Sequence, residues 1–169
     1  MDFNNEKYRR IARADGSLPS YEACGRATGG IPSSEAYRLA REKQEQQSPI
    51  QQIIGGAMDM ASEYFKMKNH GYKYLDDYHH CKANYNAASR GPYGYNTAKA
   101  LGDAKEQFDF YWNQAYKGIG ENAAQTDRLH DLSVNANGRL LGDSGLYNNA
   151  QDACADYRST NPAFPKKYW

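Results

Sequence analysis

Side chains that could bind a metal or transfer a proton are concentrated in the segment Asp76-Asp77-Tyr78-His79-His80-Cys81. On a helix, Asp76 shares a face with His79 or His80, and Asp77 shares one with His80 or Cys81, because residues three and four apart are neighbours. A metal site needs at least a third ligand, and no spacing such as HExxH supplies one. The remaining candidates lie elsewhere in the chain: His70, His130, Asp131 and Cys154. We therefore predict no metal site and no cofactor, and interpret His80 as a structural, hydrogen-bonding histidine.

Nucleophilic catalysis is the second chemistry that this segment suggests, since Cys81 follows His80. Adjacent helical residues diverge by about 100°, so these two side chains do not face each other. The run Gly138–Gly142 lacks the lysine of a phosphate-binding loop. We predict no catalytic residue, and a metal-dependent enzyme centred on Asp77, His79 and His80 remains the third functional alternative.

The elements that must position these residues are helices. From Pro49 onward, apolar residues recur every three or four positions, and no window alternates with a period of two. The pattern predicts four helices that end at glycines, over 49–71, about 75–90, about 96–117 and about 122–141. The connections between these predicted helices are short, which favours an antiparallel arrangement of neighbouring helices. The predicted fold class is all-α, a four-helix bundle followed by a tail from Asp143 to Trp169.

Residues 1–48 differ from the rest of the chain, because they are rich in glycine and polar residues and have no sustained apolar face. Two short helices are predicted there, over Asn5–Ala14 and from Ser34 to about Gln47. We interpret residues 1–48 as a polar extension, partly helical or flexible, that serves as a mobile arm or docking segment. The bundle then occupies residues 49–169.

Composition excludes two classes of protein. The 169 residues carry 21 basic and 20 acidic side chains, a net charge of +1, so no long-range field attracts nucleic acid. With a mean hydropathy of −0.95, no apolar stretch approaches the length of a membrane span. The start of the sequence shows no basic segment followed by an apolar one, which predicts a soluble protein without a signal peptide, cytoplasmic in the cell that makes it.

A long motif supports a family assignment. The run Asp76-x-Tyr78-x-His80-x-Lys82-x-Asn84-Tyr85-Asn86-Ala87-Ala88-x-Arg90-Gly91-Pro92-x-Gly94 resembles the central signature of the serum amyloid A family. The resemblance extends from Gly56-Ala57-Met58-Asp59-Met60-Ala61 to Phe164-Pro165-Lys166-Lys167-Tyr168. It implies a compact helical bundle strapped by its carboxyl-terminal segment.

The resemblance also defines a set of structural signature residues: Tyr78, His80, Asn84, Tyr85, Arg90, Gly91, Pro92, Asp103, Glu106, Asn135, Gly138 and Arg139. Gly91 and Pro92 are interpreted as the stop of the second helix, with Gly91 at positive φ. Arg90, Asp103, Glu106 and Arg139 are interpreted as a polar scaffold. The alternative is an anion site formed by Arg90, Lys99 and Arg139.

The first long helix carries the predicted ligand-binding surface: Ile50, Ile53, Ile54, Met58 and Phe65. In the family this helix is implicated in association with lipid, with retinol-like and lipoprotein-surface ligands. The alternative is that the same stripe packs into the bundle. The predicted partners are an apolar ligand, a lipid surface or a protein, with a homo-oligomer left open.

Three cysteines leave two alternatives open. Cys24, Cys81 and Cys154 are either reduced thiols, or Cys81 and Cys154 form a disulfide that ties the second helix to the tail. Sequence alone does not decide between them.

Two functional hypotheses of different classes follow. The first is a non-enzymatic binding module of serum amyloid A type. The second is a bacterial antibacterial effector, or a domain associated with polymorphic toxins, that docks through residues 1–48 and is delivered by a specialised secretion system. The apparent lack of an export signal favours a bacterial or phage source.

Overall fold

The computed structural model describes residues 34–71 and 75–158 of the chain, which form six α-helices and a short 3-10 turn. No strand occurs in these two ranges, so the predicted all-α fold class is confirmed. None of their helices is both long enough and apolar enough to cross a membrane. The helices are α1 Ser34–Glu45, α2 Pro49–His70, α3 Asp76–Ala88, α4 Pro92–Lys117, α5 Glu121–Ser144 and α6 Ala150–Ala153, and the 3-10 turn is Ala155–Tyr157.

The start and end of α2 follow from local chemistry. The Ser48 side chain accepts a hydrogen bond from the Gln51 amide, and the Gln51 side chain accepts one from the Ser48 amide, which together form a capping box. Pro49 occupies the first turn, where its missing N–H costs nothing. Gly71 ends the helix in the left-handed conformation at φ 59°.

The helix α3 lies at the centre of the bundle and packs against α2, α4, α5 and α6. Ten of its 13 residues are buried, so it has almost no solvent face. The apolar core is built around α3 and its partners α5 and α6, with Leu75, Tyr78, Tyr85, Val134 and Leu141 as its main members. The helices α2 and α4 complete the bundle on the other side of α3.

Two glycines of α5 allow its backbone to approach α3 closely. A Cβ atom at Gly138 would lie 2.4 Å from the Cys81 carbonyl oxygen, and one at Gly142 would lie 2.3 Å from that of Tyr85. The prediction that Gly142 ends this helix is therefore wrong. The helix continues to Ser144 and ends at Gly145, at φ 65°, because Gly142 is needed for the contact with α3.

The turn between α3 and α4 also differs from the sequence prediction. The helix α3 ends at Ala88, and α4 begins at Pro92 rather than near Asn96. Gly91 has positive φ as expected, but at φ 122° and ψ −172° it is extended rather than left-handed helical, and it caps the start of α4. The Gln52 side chain packs on it and accepts a hydrogen bond from the Tyr93 amide at 3.1 Å.

The tail is fastened to the bundle by a covalent bond and two hydrogen bonds. Cys81 and Cys154 form a disulfide with their Cα atoms 5.9 Å apart, which decides between the two cysteine alternatives for this pair. The Tyr85 hydroxyl donates to the Tyr147 carbonyl at 2.7 Å, and the Asn137 side chain donates to the Tyr157 hydroxyl at 2.9 Å. Two sequence predictions lie outside the described residues: the helix over Asn5–Ala14 and the state of Cys24.

Removing the disulfide is expected to destabilise the bundle. The disulfide joins residues 73 positions apart. In the chain-entropy model, breaking a disulfide that closes a loop of this length lowers the free energy of unfolding by about 4 kcal/mol. The paired variant Cys81→Ser with Cys154→Ser should show this loss in urea unfolding. Reducing agent should lower the stability of the parent protein and leave the paired variant unchanged, and equal stability of parent and variant would contradict the prediction.

A methyl group at Gly142 is expected to force α3 and α5 apart. Overpacking against the Tyr85 carbonyl should outweigh the gain in helix propensity, so Gly142→Ala should cost about 2 kcal/mol in urea unfolding. Gly120 is the matched control, since a Cβ there meets no atom within 4 Å. Equal stability of Gly142→Ala and Gly120→Ala would show that the two helices do not depend on this approach.

Candidate functional site

A chain of buried polar side chains crosses the middle of the bundle and joins α3, α4 and α5. Asn84 is fully buried, and Glu106 and Asn135 are each 1% exposed. Asn84 donates to the Asn135 side-chain oxygen at 2.6 Å, and Asn135 donates to Glu106 at 3.1 Å. Arg139 donates to the Asn84 side-chain oxygen at 3.0 Å. These four signature residues form one hydrogen-bonded chain that the structure brings together from distant parts of the sequence.

His80 lies against this polar chain. Its Nδ1 is 3.2 Å from the Asn135 side-chain oxygen and 3.3 Å from a Glu106 oxygen, and its Nε2 is 3.5 Å from the Lys105 Nζ. Burial lowers the pKa of His80, as does the neighbouring Lys105 ammonium. His80 is therefore neutral at pH 7, with its proton on Nδ1 facing the two acceptors and its Nε2 lone pair facing Lys105.

Acidic side chains and one lysine cluster next to His80. Lys105 contacts Glu106 at 3.4 Å and Asp109 at 2.8 Å. Asp131 of α5 lies next to Glu106, and burial together with the adjacent carboxylate raises the pKa of Asp131 to about 8. The Lys105 ammonium therefore interacts with three carboxyl side chains, those of Glu106, Asp109 and Asp131.

A second ionic contact lies at the solvent side of this group. His130 Nε2 is 3.0 and 3.1 Å from the two Asp77 carboxylate oxygens, and this hydrogen bond raises the pKa of His130. Possible ligand atoms of Asp77, His130 and Asp131 all lie within 4.8 Å of one another, and the same holds for His80, Glu106 and Asp131. Asp131 belongs to both sets.

Glu63 of α2 forms a separate buried cluster. Its side chain contacts His79 Nδ1 at 3.0 Å, Lys66 Nζ at 2.7 Å and Lys82 Nζ at 3.3 Å. Burial alone would raise the pKa of Glu63, but the hydrogen bonds from His79 and Lys66 and the charge of Lys82 lower it to about 2. This cluster joins α2 to α3.

A groove of about 1000 Å³ runs between α2 and α4. Its walls combine apolar and polar side chains, and they include the aromatic residues Tyr64 and Phe65 on α2 and Phe108 and Trp112 on α4. Its polar end is formed by residues of α3, α4 and α5 described above: Asp77, His80, Lys105, His130 and Asp131.

The helix α2 is turned so that its small and polar residues face the bundle. Gln52, Gly55, Gly56 and Glu63 are its buried residues. The predicted ligand-binding residues point outward instead, and they are all exposed: Ile50 by 68%, Ile53 by 44%, Ile54 by 55%, Met58 by 66% and Phe65 by 62%. The alternative that these side chains form the bundle core is therefore wrong.

The helix α4 has the same inverted arrangement, which the sequence analysis missed. Its buried residues are Gly94, Ala98, Gly102, Glu106 and Asn113. Its large side chains are exposed, although they recur at helical spacing: Leu101, Phe108, Tyr111 and Trp112. Tyr116 is exposed as well, and its ring stacks on Trp112. The signal that could have revealed this face is the spacing of Gly94, Ala98, Gly102 and Glu106, which places a stripe of small residues and one acid at every fourth position.

The remaining signature residues have separate partners. Arg90 pairs with Asp59 on α2, and Asp103 pairs with Lys99 within α4. Arg139 contacts Asn84 and lies over the Tyr95 ring. The three cations of the alternative anion site therefore each have a different contact, and the structure does not bring them into one shared site.

Comparison with known proteins places most of this fold in one family. The family model described as serum amyloid A protein matches residues 47–168. Serum amyloid A protein from Bos taurus is 38% identical over 84 residues, which cover 50% of this chain and 65% of the relative. Serum amyloid A-2 protein from Mus musculus is 34% identical over 98 residues, which cover 58% of this chain and 73% of the relative. The chain thus spans just under two thirds of the first of these relatives. No solved structure matches this chain significantly.

The Glu63 cluster should make the free energy of unfolding depend on pH in the acidic range. Because the pKa of Glu63 is about 2 in the folded protein and 4.5 as a free group, its contribution is complete above pH 4.5 and is lost as the pH falls towards 2. Glu63→Gln should cost about 3 kcal/mol at pH 7 in urea unfolding, and the difference from the parent should shrink between pH 4.5 and 2.

The matched control for this prediction is Glu42→Gln, since Glu42 forms an exposed pair with Arg38. That variant should lose less than about 0.5 kcal/mol at any pH. A constant difference between Glu63→Gln and the parent from pH 7 to 2 would contradict the assignment of the low pKa to Glu63.

Proposed function

Because this chain belongs to the serum amyloid A family, we propose that it is a non-enzymatic binding protein that lays the outer faces of α2 and α4 on a phospholipid surface. The single observation that carries the proposal is the inverted arrangement of these two helices, with small and polar residues inward and large apolar residues outward. An ordinary bundle helix directs its apolar face to the core. A helix that lies in a lipid interface needs that face outside.

The length of the exposed face favours a surface over a small ligand. Ile50 and Phe65 are 15 positions apart, a distance of about 22 Å along a helix. The first two and a half turns of α2 contain no charged residue before Asp59, while Lys66 and Lys68 follow near its end. A long apolar face that ends in basic residues suits an interface where acyl chains meet headgroups.

The expected cytoplasmic location is corrected by the family. The relatives are serum amyloid A proteins, which are secreted into plasma, and this conflicts with a cytoplasmic protein. The Cys81–Cys154 disulfide agrees with the correction, because such bonds persist in oxidising compartments outside the cytosol.

The effector hypothesis receives no support from these relatives. The family model and the relatives described above carry the name serum amyloid A, and none of these names refers to a toxin or an effector. The binding module is therefore the only function that we propose.

Binding to vesicles tests the proposal. The full chain should float with phosphatidylcholine vesicles, and more strongly when the vesicles contain an anionic lipid. The double variant Ile53→Asp with Met58→Asp should reduce the bound fraction at least tenfold, because two charges on this face oppose its entry into the interface. Both side chains are exposed, so the variant should keep the helical circular dichroism and melting temperature of the parent.

The matched control places two aspartates on an exposed face of another helix. Ala123 and Ser133 are exposed positions of α5, and Ala123→Asp with Ser133→Asp should bind vesicles as the parent does. Equal vesicle binding by the two double variants would overturn the proposal. So would a parent that binds a soluble apolar fluorophore in the groove and does not float with either type of vesicle.

A further inference from the structure

We propose that Asp77, His130 and Asp131 form a site for Zn²⁺ at the polar end of the groove, with the buried pair His80 and Glu106 directly behind it. The proposal goes beyond lipid binding, because the site lies on α3 and α5 and uses none of the exposed residues of α2. It also reverses the sequence prediction that the chain holds no metal.

The donors converge from different elements. Asp77 lies in the first turn of α3, and His130 and Asp131 lie in the middle of α5. His130 and Asp131 are adjacent in sequence, yet atoms of both lie within 4.8 Å of an Asp77 oxygen. Because 53 positions separate Asp77 from His130, this convergence depends on the α3–α5 packing and is invisible as a sequence motif.

The distance between two of the three donors suits a tetrahedral ion. Two ligand atoms that each lie 2.0–2.2 Å from tetrahedral zinc are separated from each other by about 3.3 Å. His130 Nε2 is 3.0 and 3.1 Å from the two oxygens of Asp77. A zinc ion could therefore replace the shared proton of this pair after a movement of a few tenths of an ångström.

The surroundings also favour a cation. Asp131 stands next to the Glu106 carboxylate, and Asp76 and Asp127 line the same end of the groove. The ammonium of Lys105 lies near this group, and it already contacts Glu106 and Asp109. A divalent cation bound by Asp131 would lie next to the Glu106 carboxylate, whose negative charge favours it.

The second set of donors supports the first. Glu106 is hydrogen-bonded to Asn135 and stands beside Asp131, so it can fix the orientation of that ligand from behind. His80, Glu106 and Asp131 are themselves within ligand distance of one another. The presence of imidazole among the donors favours zinc over calcium or magnesium, which prefer sites made of oxygen alone.

The test is a calorimetric titration of Zn²⁺ into the metal-stripped full chain. All variants carry Cys24→Ser, which removes the one cysteine outside the Cys81–Cys154 disulfide as a competing ligand. We expect one ion per chain with a Kd of 10 µM or tighter. His130→Ala and Asp131→Asn should each weaken binding at least about tenfold, and Mg²⁺ should not compete.

Two control variants remove the same chemical groups elsewhere. His70→Ala and Asp103→Asn should bind Zn²⁺ within twofold of the parent, since neither residue belongs to the two donor sets. The His130 side chain is 57% exposed, so its loss should leave the helical circular dichroism unchanged, and His130→Gln replaces His130→Ala if it does not. No saturation below 100 µM Zn²⁺ would overturn the proposal, as would any pattern in which His130 and Asp131 variants bind no more weakly than the controls.

Discussion

The hydrogen-bonded chain Arg139–Asn84–Asn135–Glu106 is the constraint on which the rest of this bundle depends. Each of these side chains is at least 95% buried, and a buried polar group without a partner costs about 1–3 kcal/mol. The partners lie on three different helices, so α3, α4 and α5 must stand in one register for these hydrogen bonds to form. The close approach of α5 to α3 at Gly138 and Gly142 brings the two asparagines within reach of each other.

This polar centre accounts for the inverted helices. Glu106 must point inward from α4 to meet Asn135, and Glu63 must point inward from α2 to meet His79 and Lys82. On a helix, the residues that share a face with an inward acid also point inward. The small residues at Gly55, Gly56, Ala98 and Gly102 therefore line the bundle, and the large apolar residues of both helices turn towards solvent.

The same packing separates two kinds of surface on one molecule. The outer faces of α2 and α4 offer apolar side chains over their length, while the end of the groove next to α3 and α5 gathers carboxylates and histidines. The disulfide joins α3 to the residue that follows α6, and neither of its cysteines lines the groove. The proposed lipid contact and the proposed ion site can therefore be altered by separate substitutions.

The sequence by itself determined the fold class and most helix ends. Periodicity predicted four long helices, and the ends at Gly71 and Gly118 were predicted correctly because glycine adopts the left-handed conformation there at φ 59° and 66°. The long motif around Asn84 and Arg90 identified the family. These features are local in the chain, so one sequence is enough to reveal them.

Only the tertiary structure decided which side of each helix faces inward. The same spacing of Ile50, Ile53, Ile54 and Met58 fits a core stripe or a solvent face, and periodicity does not distinguish them. From the sequence alone, Gly142 is predicted to end α5, whereas in the structure it lies against the Tyr85 carbonyl. Likewise, Cys81 with Cys154, and Asp77 with His130, meet only because α3 packs on α5 and α6. The contacts at Gly142, between the two cysteines and between Asp77 and His130 each join residues more than 50 positions apart, and a single sequence carries no direct record of such contacts.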